Sequence, residues 1–213
     1  MNEPTIAILV PFMDSNYDPA ACFTSLLKQD YPHLTIYLVG TSATIPVTWN
    51  RDNRFQHLES SSLLPQKLGF LIQQLDEDFI LLVDPHDQLD QSTSLSELIN
   101  LAQQQNCDLI MPNFVKLQPD GTYIFPNLWR KPEELITHNN YHFLIKSIQA
   151  IRVLPGSLIK RSLLIQVCAN LPETASSQTI IRQLCCQAHH GIYTHRHPYI
   201  WHLLSNHSLP AFE

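Results

Sequence analysis

The sequence predicts an α/β fold with a mixed, mostly parallel central sheet and helices on both faces. Three observations predict it. Short continuous apolar runs, Ile6–Val10, Ile36–Val39, Phe79–Val83 and Leu109–Met111, read as strands buried on both faces. Stretches with apolar residues at helical spacing alternate with them. The connections between strand and helix are short, as in the βαβ unit of a parallel sheet.

In chain order, Thr5–Val10 is the first strand, ended by Pro11 and followed by the loop Phe12–Tyr17. Asp18-Pro19 predicts a helix start, with Asp as N-cap and Pro at the first helical position. Ala21, Phe23, Leu26 and Leu27 form the apolar face of that helix, and Asp30-Tyr31-Pro32 breaks it. Thr35–Val39 is the second strand, ended by Gly40-Thr41-Ser42. Residues 43–62 are irregular, with a short strand at Phe55–Leu58. Leu63–Leu75 is a helix, and Ser92 or Ser94 is the expected cap of another that ends near Asn106. Asp108–Met111 is a strand. Phe114–Leu117 and Thr122–Phe125 flank Gln118-Pro119-Asp120-Gly121, a turn signal that predicts a hairpin. Leu128–Pro132 reads as a loop. Glu133–Lys146 is expected to be a helix, since acidic residues open it where the helix dipole favours them. Ile151–Ile159 carries a Pro-Gly interruption. Arg161–Ala169 and Thr179–His189 are expected helices, with Gly191 as the residue that stops the second. Ile192–Thr194 and Tyr199–Leu204 look extended.

The 213 residues are 44% hydrophobic and 15% charged, which fits one domain over 1–213 with a sizeable core. Net charge is -6 with His neutral, and no Lys/Arg cluster is present, so a nucleic-acid partner is excluded. Five Cys with no CxxC pair, and no signal-peptide pattern around Asn2-Glu3-Pro4, predict reduced thiols in a cytoplasm. Cys185-Cys186 read as packing rather than a site. No apolar run is long enough to cross a membrane.

The chemistry concentrates in Phe79–Asp90, FILLVDPHDQLD. The apolar run stops at Asp84, His86, Asp87 and Asp90, with Pro85 preventing continuation of the strand. Acidic and imidazole side chains therefore emerge at the carboxyl end of a buried strand, where open α/β sheets bind ligands. The plainer alternative is a helix-entry loop whose Asp residues cap backbone N–H groups.

Six segments in this order resemble the family 2 inverting glycosyltransferases, and the resemblance covers nearly the whole chain. Ile8–Phe12 is similar to the family's opening strand. Cys22–Pro32 is similar to the helix end written SLLNQTYP in the family. Phe79–Leu89 resembles the strand bearing the Asp-x-Asp metal motif, and Asp108–Phe125 the strand and hairpin after it. Pro155–Leu164 is similar to the segment KLYKRELL, and Tyr199–Leu209 to the closing YYYRRHPGSLS. The resemblance implies a GT-A-like, Rossmann-like fold, with residues 1–125 as the nucleotide-sugar half and 126–213 as the acceptor-side half. It implies a nucleoside-diphosphate sugar as donor, a glycan, lipid-linked or protein acceptor, and a divalent cation, Mn or Mg, on the departing diphosphate. Asp84 and His86, at the position of the metal motif, are the expected metal ligands, and of the C-terminal His195, His197, His202 and His207 the expected third is His202, which stands where the family has a substrate-facing Arg. Pro11, Asp14, Gly40, Lys67 and Asp84 line the donor pocket, and Asp87 and Glu173 are the candidate catalytic acids. The cytoplasm is the expected location, with the inner face of the membrane as the alternative.

The sequence departs from the family at three places. Gly40-Thr41 replace the acidic pair after the second strand. His86 replaces the second Asp of the metal motif, and imidazole remains a ligand for Mn or Zn. Ser176-Ser177-Gln178 stand where the family carries its catalytic base, with Glu173 the nearest acid. Two functions follow as expectations: an active transferase with a rebuilt site, or a non-catalytic GT-A domain that partners an active glycosyltransferase subunit. A nucleotidyltransferase is disfavoured, because Phe12–Tyr17 is not Gly-rich and carries no Lys or Arg.

Overall fold

A computed structural model describes residues 3–12, 18–41, 52–60, 65–124, 133–147 and 154–202. The described chain runs β1 (Ile6–Phe12), α1 (Ala20–Leu27), β2 (Leu34–Gly40), β3 (Phe55–Glu59), α2 (Pro65–Gln73), β4 (Phe79–Leu82) and β5 (Gln88–Leu89). It continues as α3 (Ser94–Gln105), β6 (Leu109–Leu117), β7 (Tyr123–Ile124), β8 (Glu133–Ile136) and α4 (Tyr141–Ser147). It closes with β9 (Leu158–Lys160), α5 (Arg161–Ala169), α6 (Ser177–Gln187) and β10 (Gly191–His202).

The strands form one mixed sheet in the order β3-β2-β1-β4-β9-β6-β10-β5, with β7 added on β6 and β8 on β10. The three longest ladders, β6 on β10, β1 on β2 and β2 on β3, are parallel, and so is β1 on β4. β9 is antiparallel to both β4 and β6 and joins the two parallel parts. Every residue of β1 and β4 is buried. Successive side chains of a strand point to opposite faces, so both faces of the sheet centre are covered. On one side α2 packs on α5, close enough that a Cβ on Gly69 would lie 2.9 Å from the Cys168 Cβ. Pro11 and Pro112, inside strands, each sit beyond the end of one of their two ladders. Pro11 lies beyond the last β1–β4 pair, and Pro112 beyond the last β6–β9 pair. A missing N–H costs little there.

Four local expectations are corrected. Glu133–Lys146 is not one helix: Glu133–Ile136 is β8, antiparallel to Gly191–Thr194. Pairing with β10 overrides the helical reading of the two glutamates, and α4 starts only after a Thr137–Asn140 turn. In that turn the Thr137 N–H donates to Asn140 Oδ1 and the Asn140 N–H to Thr137 Oγ1. Gly191 does not stop α6. The helix ends at Ala188 in extended conformation, and Gly191 opens β10, where a Cβ would lie 3.2 Å from that of Ile136. Pro19 rather than Asp18 takes the N-cap position of α1, and Asp18 accepts from the Ala20 N–H one step outside it. Thr93, not Ser92 or Ser94, stands at the N-cap of α3. Its hydroxyl donates to Glu97, while Ser94 accepts from the Gln91 N–H. The expected end at Asn106 is correct, and this residue takes the left-handed conformation that terminates helices.

No described helix is long and apolar enough to cross a membrane.

Candidate functional site

β4 delivers its C-terminal end to the site. The Val83 N–H still donates to the Leu9 carbonyl. Carrying the β1–β4 register two residues further brings Asp84 level with Pro11. The chain then turns, and the Asp87 N–H closes the turn on the Asp84 carbonyl at 2.9 Å. β5 follows at once and pairs antiparallel with Tyr199 and Ile200 of β10. The Asp84–Asp87 loop therefore leaves one strand of the sheet and joins another at its far edge.

Inside this loop Asp84 is 2% exposed and Asp87 3% exposed, so neither is a freely solvated surface carboxylate. Asp84 Oδ1 accepts from the His86 N–H at 3.0 Å and from His86 Nδ1 at 2.8 Å. An ionised carboxylate only accepts, so Nδ1 carries the proton and a neutral ring keeps its lone pair on Nε2. The Tyr199 hydroxyl donates to Asp87 Oδ2 at 2.7 Å and accepts from the Asp84 N–H at 3.0 Å. Burial, with the charges of Asp87 and Asp84 behind it, pushes the Tyr199 phenol well above its ordinary range, so it stays protonated and able to donate. Cys22 of α1 points its Sγ at the Asp84 carbonyl, 3.7 Å away. Its thiol is pushed well up by burial first and then by Asp87 and Asp84.

Pro11 and Gly40 end adjacent strands, with Pro11 paired to Val39 and Phe12 to Gly40. Gly40 offers its carbonyl to the Ser60 N–H and to His57 Nε2 at 3.1 Å. Lys67 is exposed in the first turn of α2, after β3. Glu173 is exposed in the turn between α5 and α6. Ser176, where the resemblance places a base, is the N-cap of α6, and its side chain accepts from the Thr179 N–H. Asp14 and the side chain of His202 lie outside the described residues. The His202 backbone closes β10, paired with Leu117.

Sequence reasoning missed Tyr199, Gly156 and His57. Tyr199 is just the first residue of an extended run, and Gly156 just half of a Pro-Gly break. The one signal that could have marked Gly156 is that a Pro-Gly turn demands φ > 0 at its glycine; here φ is 84°.

The donor set tests whether a divalent cation fits. The Asp84–His86 contact is the carboxylate–imidazole pairing that orients histidine ligands, with Nε2 as the nitrogen a metal would take. Among the described residues no group of three or more His, Cys, Asp or Glu converges as a metal cage. Nε2 faces away from the carboxylate that holds Nδ1, so an ion on Nε2 would have Asp84 as the orienting partner of its histidine ligand. The described residues do not form a closed structural site.

No protein-family model matches the chain, and no curated protein does. Solved structures do. The S. aureus glycosyltransferase TarS 1-349 in complex with UDP-GlcNAc aligns with a TM-score of 0.73 at 18% identity, over 95% of this chain and 60% of that one. The chain has a GT-A-like fold. The same fragment in complex with UDP aligns with a TM-score of 0.71 at 19% identity, over 93% of this chain and 60% of that one. S. aureus TarS itself aligns at 0.70 and 19% identity, over 93% and 37%. The chain thus spans about 60% of the length of the TarS fragments it matches.

Proposed function

We propose that this chain is a nucleotide-sugar glycosyltransferase of the inverting, family 2 type, with a rebuilt donor site. The observation that carries the reading is the position of Asp84-Pro85-His86-Asp87. In a GT-A-like fold it lies directly after β4, at the carboxyl edge of the sheet. The TarS fragments with this fold are complexed with UDP-GlcNAc and UDP, which supports a nucleoside-diphosphate sugar as ligand here. Asp84 and His86 would hold the cation together, His86 as ligand through Nε2 and Asp84 by orienting its ring through Nδ1, with His202 as a candidate further ligand. When bound, such an ion neutralises charge on the departing diphosphate. Pro11, Gly40, Lys67 and Asp14 would line the nucleotide side. Asp87, oriented by Tyr199, would position sugar hydroxyls. The acceptor is a glycan, lipid-linked or protein hydroxyl. Its oxygen attacks the anomeric carbon, the bond to the diphosphate breaks, and the hydroxyl proton passes to a base, for which Glu173 is the nearest acid ahead of α6. One sheet takes strands from both 1–125 and 126–213, which supports a single domain with a donor-side and an acceptor-side half. A cytoplasmic location, or the inner face of a membrane, belongs to the same reading.

A second reading is favoured by one specific observation. Ser176 serves as a helix cap where the family carries its base, and general-base catalysis is worth roughly 10²–10⁴-fold. In that reading the chain is a non-catalytic GT-A subunit partnering an active transferase.

Titration with UDP and GDP, with and without Mn²⁺, separates the two. Metal-dependent binding with poor base selectivity, abolished in Asp84→Ala, is expected of the first. Poor selectivity follows because Gly40-Thr41 offer few side-chain polar groups to the base. No binding of either nucleotide at millimolar concentration would overturn the first and favour the second.

A further inference from the structure

We propose that Tyr199 is the positioning residue of the Asp84–Asp87 loop, seated by Gly156. A single buried hydroxyl holds the loop at both ends. It accepts from the Asp84 N–H at 3.0 Å and donates to Asp87 Oδ2 at 2.7 Å. The ring is fixed independently of those bonds. Tyr199 is in register with Phe114 on one side and Leu89 on the other. A Cβ on Gly156 would lie 2.8 Å from the ring Cγ and 2.9 Å from Cδ2, so only glycine leaves room for the ring. Gly156 has a φ of 84°, and its N–H donates to the Leu82 carbonyl at 2.8 Å, which ties it to the end of β4.

From Tyr199 the constraint passes to Asp84, whose carboxylate grips both the N–H and Nδ1 of His86. Tyr199 is 1% exposed and acts through Asp84 and Asp87, not on a ligand itself. Its consequence for ligand affinity rests on the nucleotide reading above. Its effect on the loop does not.

The test compares Tyr199→Phe, Gly156→Ala and Tyr193→Phe in the full chain. Tyr193 supplies the control: it is on the same strand and fully buried, but its hydroxyl has no hydrogen-bond partner among the described residues. Two quantities are read, the hydrogen-exchange rate of the Asp84 amide and the dissociation constant for Mn²⁺–UDP. Tyr199→Phe is expected to speed Asp84 exchange about tenfold or more, leaving β1 and β2 protection unchanged, and to weaken Mn²⁺–UDP by about tenfold. Gly156→Ala should move both readouts the same way, and the double variant no further than the larger single effect, since both act through one ring. Tyr193→Phe should move neither. Unchanged Asp84 exchange in Tyr199→Phe overturns the proposal. So does unchanged Mn²⁺–UDP affinity where the wild type binds. A wild type that binds no nucleotide, with Asp84 exchange still accelerated in Tyr199→Phe, refutes the donor site and upholds the positioning role.

Discussion

Replacing Asp108 should loosen the strand that carries Tyr199. Asp108 precedes β6 and is buried, and its two carboxylate oxygens accept from the His189 N–H at 2.8 Å and the His190 N–H at 3.0 Å. Its own N–H donates to the His190 carbonyl, and its carbonyl accepts from Lys160 at the end of β9. One residue thus ties the starts of β6 and β10 to β9. A hydrogen bond to a charged group is worth about 1.5–3 kcal/mol, and deleting the acceptor leaves two backbone donors unsatisfied. Asp108→Ala should therefore cost about 3–5 kcal/mol. Asp108→Asn, which keeps one acceptor oxygen and turns an amide donor toward the other N–H, should cost about half of that. Against a total stability of about 5–15 kcal/mol, the alanine variant remains foldable but weak. At about 2–4 °C per kcal/mol for a chain of this size, its Tm should fall by about 6–20 °C. Urea unfolding followed by circular dichroism, with thermal melts beside it, measures both. A loss below about 1 kcal/mol in Asp108→Ala would show that the two bonds do not anchor β10.

Three further outcomes are expected. At pH 8 a thiol reagent should modify half-buried Cys186 first, and Cys22, Cys107, Cys168 and Cys185 only on unfolding. All four are buried, and burial pushes Cys168 and Cys185 up to about 12 and Cys107 to about 11. These raised thiols, with the Tyr193 phenol at about 12, also set an alkaline limit. Below pH about 9 both states hold these protons. Above it the unfolded chain loses them first, so the slope of stability with pH turns negative, and stability should fall from pH about 9 to about 12 in pH-dependent urea melts. Finally, Arg54 holds the Asp52 carboxyl down to about 2, first through its guanidinium hydrogen bonds and then through its backbone N–H. In Arg54→Ala, carboxyl NMR titration should find Asp52 raised toward the ordinary value of about 3.9, but still below it because the backbone bond persists. An unchanged Asp52 would refute the guanidinium as the main cause.

The sheet centre was legible in the sequence because its strands are doubly buried. Ile6–Val10, Ile36–Val39 and Phe79–Val83 have no polar residue to confuse the period, and all three lie where the apolar runs placed them. The edges were not. β8 carries two glutamates that suit the first turn of a helix equally well, and only its partner Gly191–Thr194, far away in sequence, settles the matter. The same asymmetry holds at the site. Asp84, His86 and Asp87 announced themselves by standing together after an apolar run. Tyr199 and Gly156 could not, because their role is a contact between residues remote in the chain. Such a contact leaves no local pattern of spacing or charge.

β10 changes partners along its length: its first half pairs with β8 and its second with β5, with a register shift between Thr194 and Tyr199. This has a consequence for the order of assembly during synthesis. The β1–β4 part of the sheet is built from segments that all lie between Ile6 and Leu82. The Asp84–Asp87 loop emerges directly behind it, yet its anchor Tyr199 is more than a hundred residues downstream. At about 5–20 residues per second, roughly 5–25 seconds separate the two. During that interval the acidic loop lacks its tie to Tyr199, and the far edges of β6 and β4 lack β10 and β9. A nascent chain would thus display an unfinished sheet edge until β10 arrives, and non-local closure of this kind is intrinsically slow. Chaperone dependence of this protein should accordingly track β10, not the hydrophobic centre.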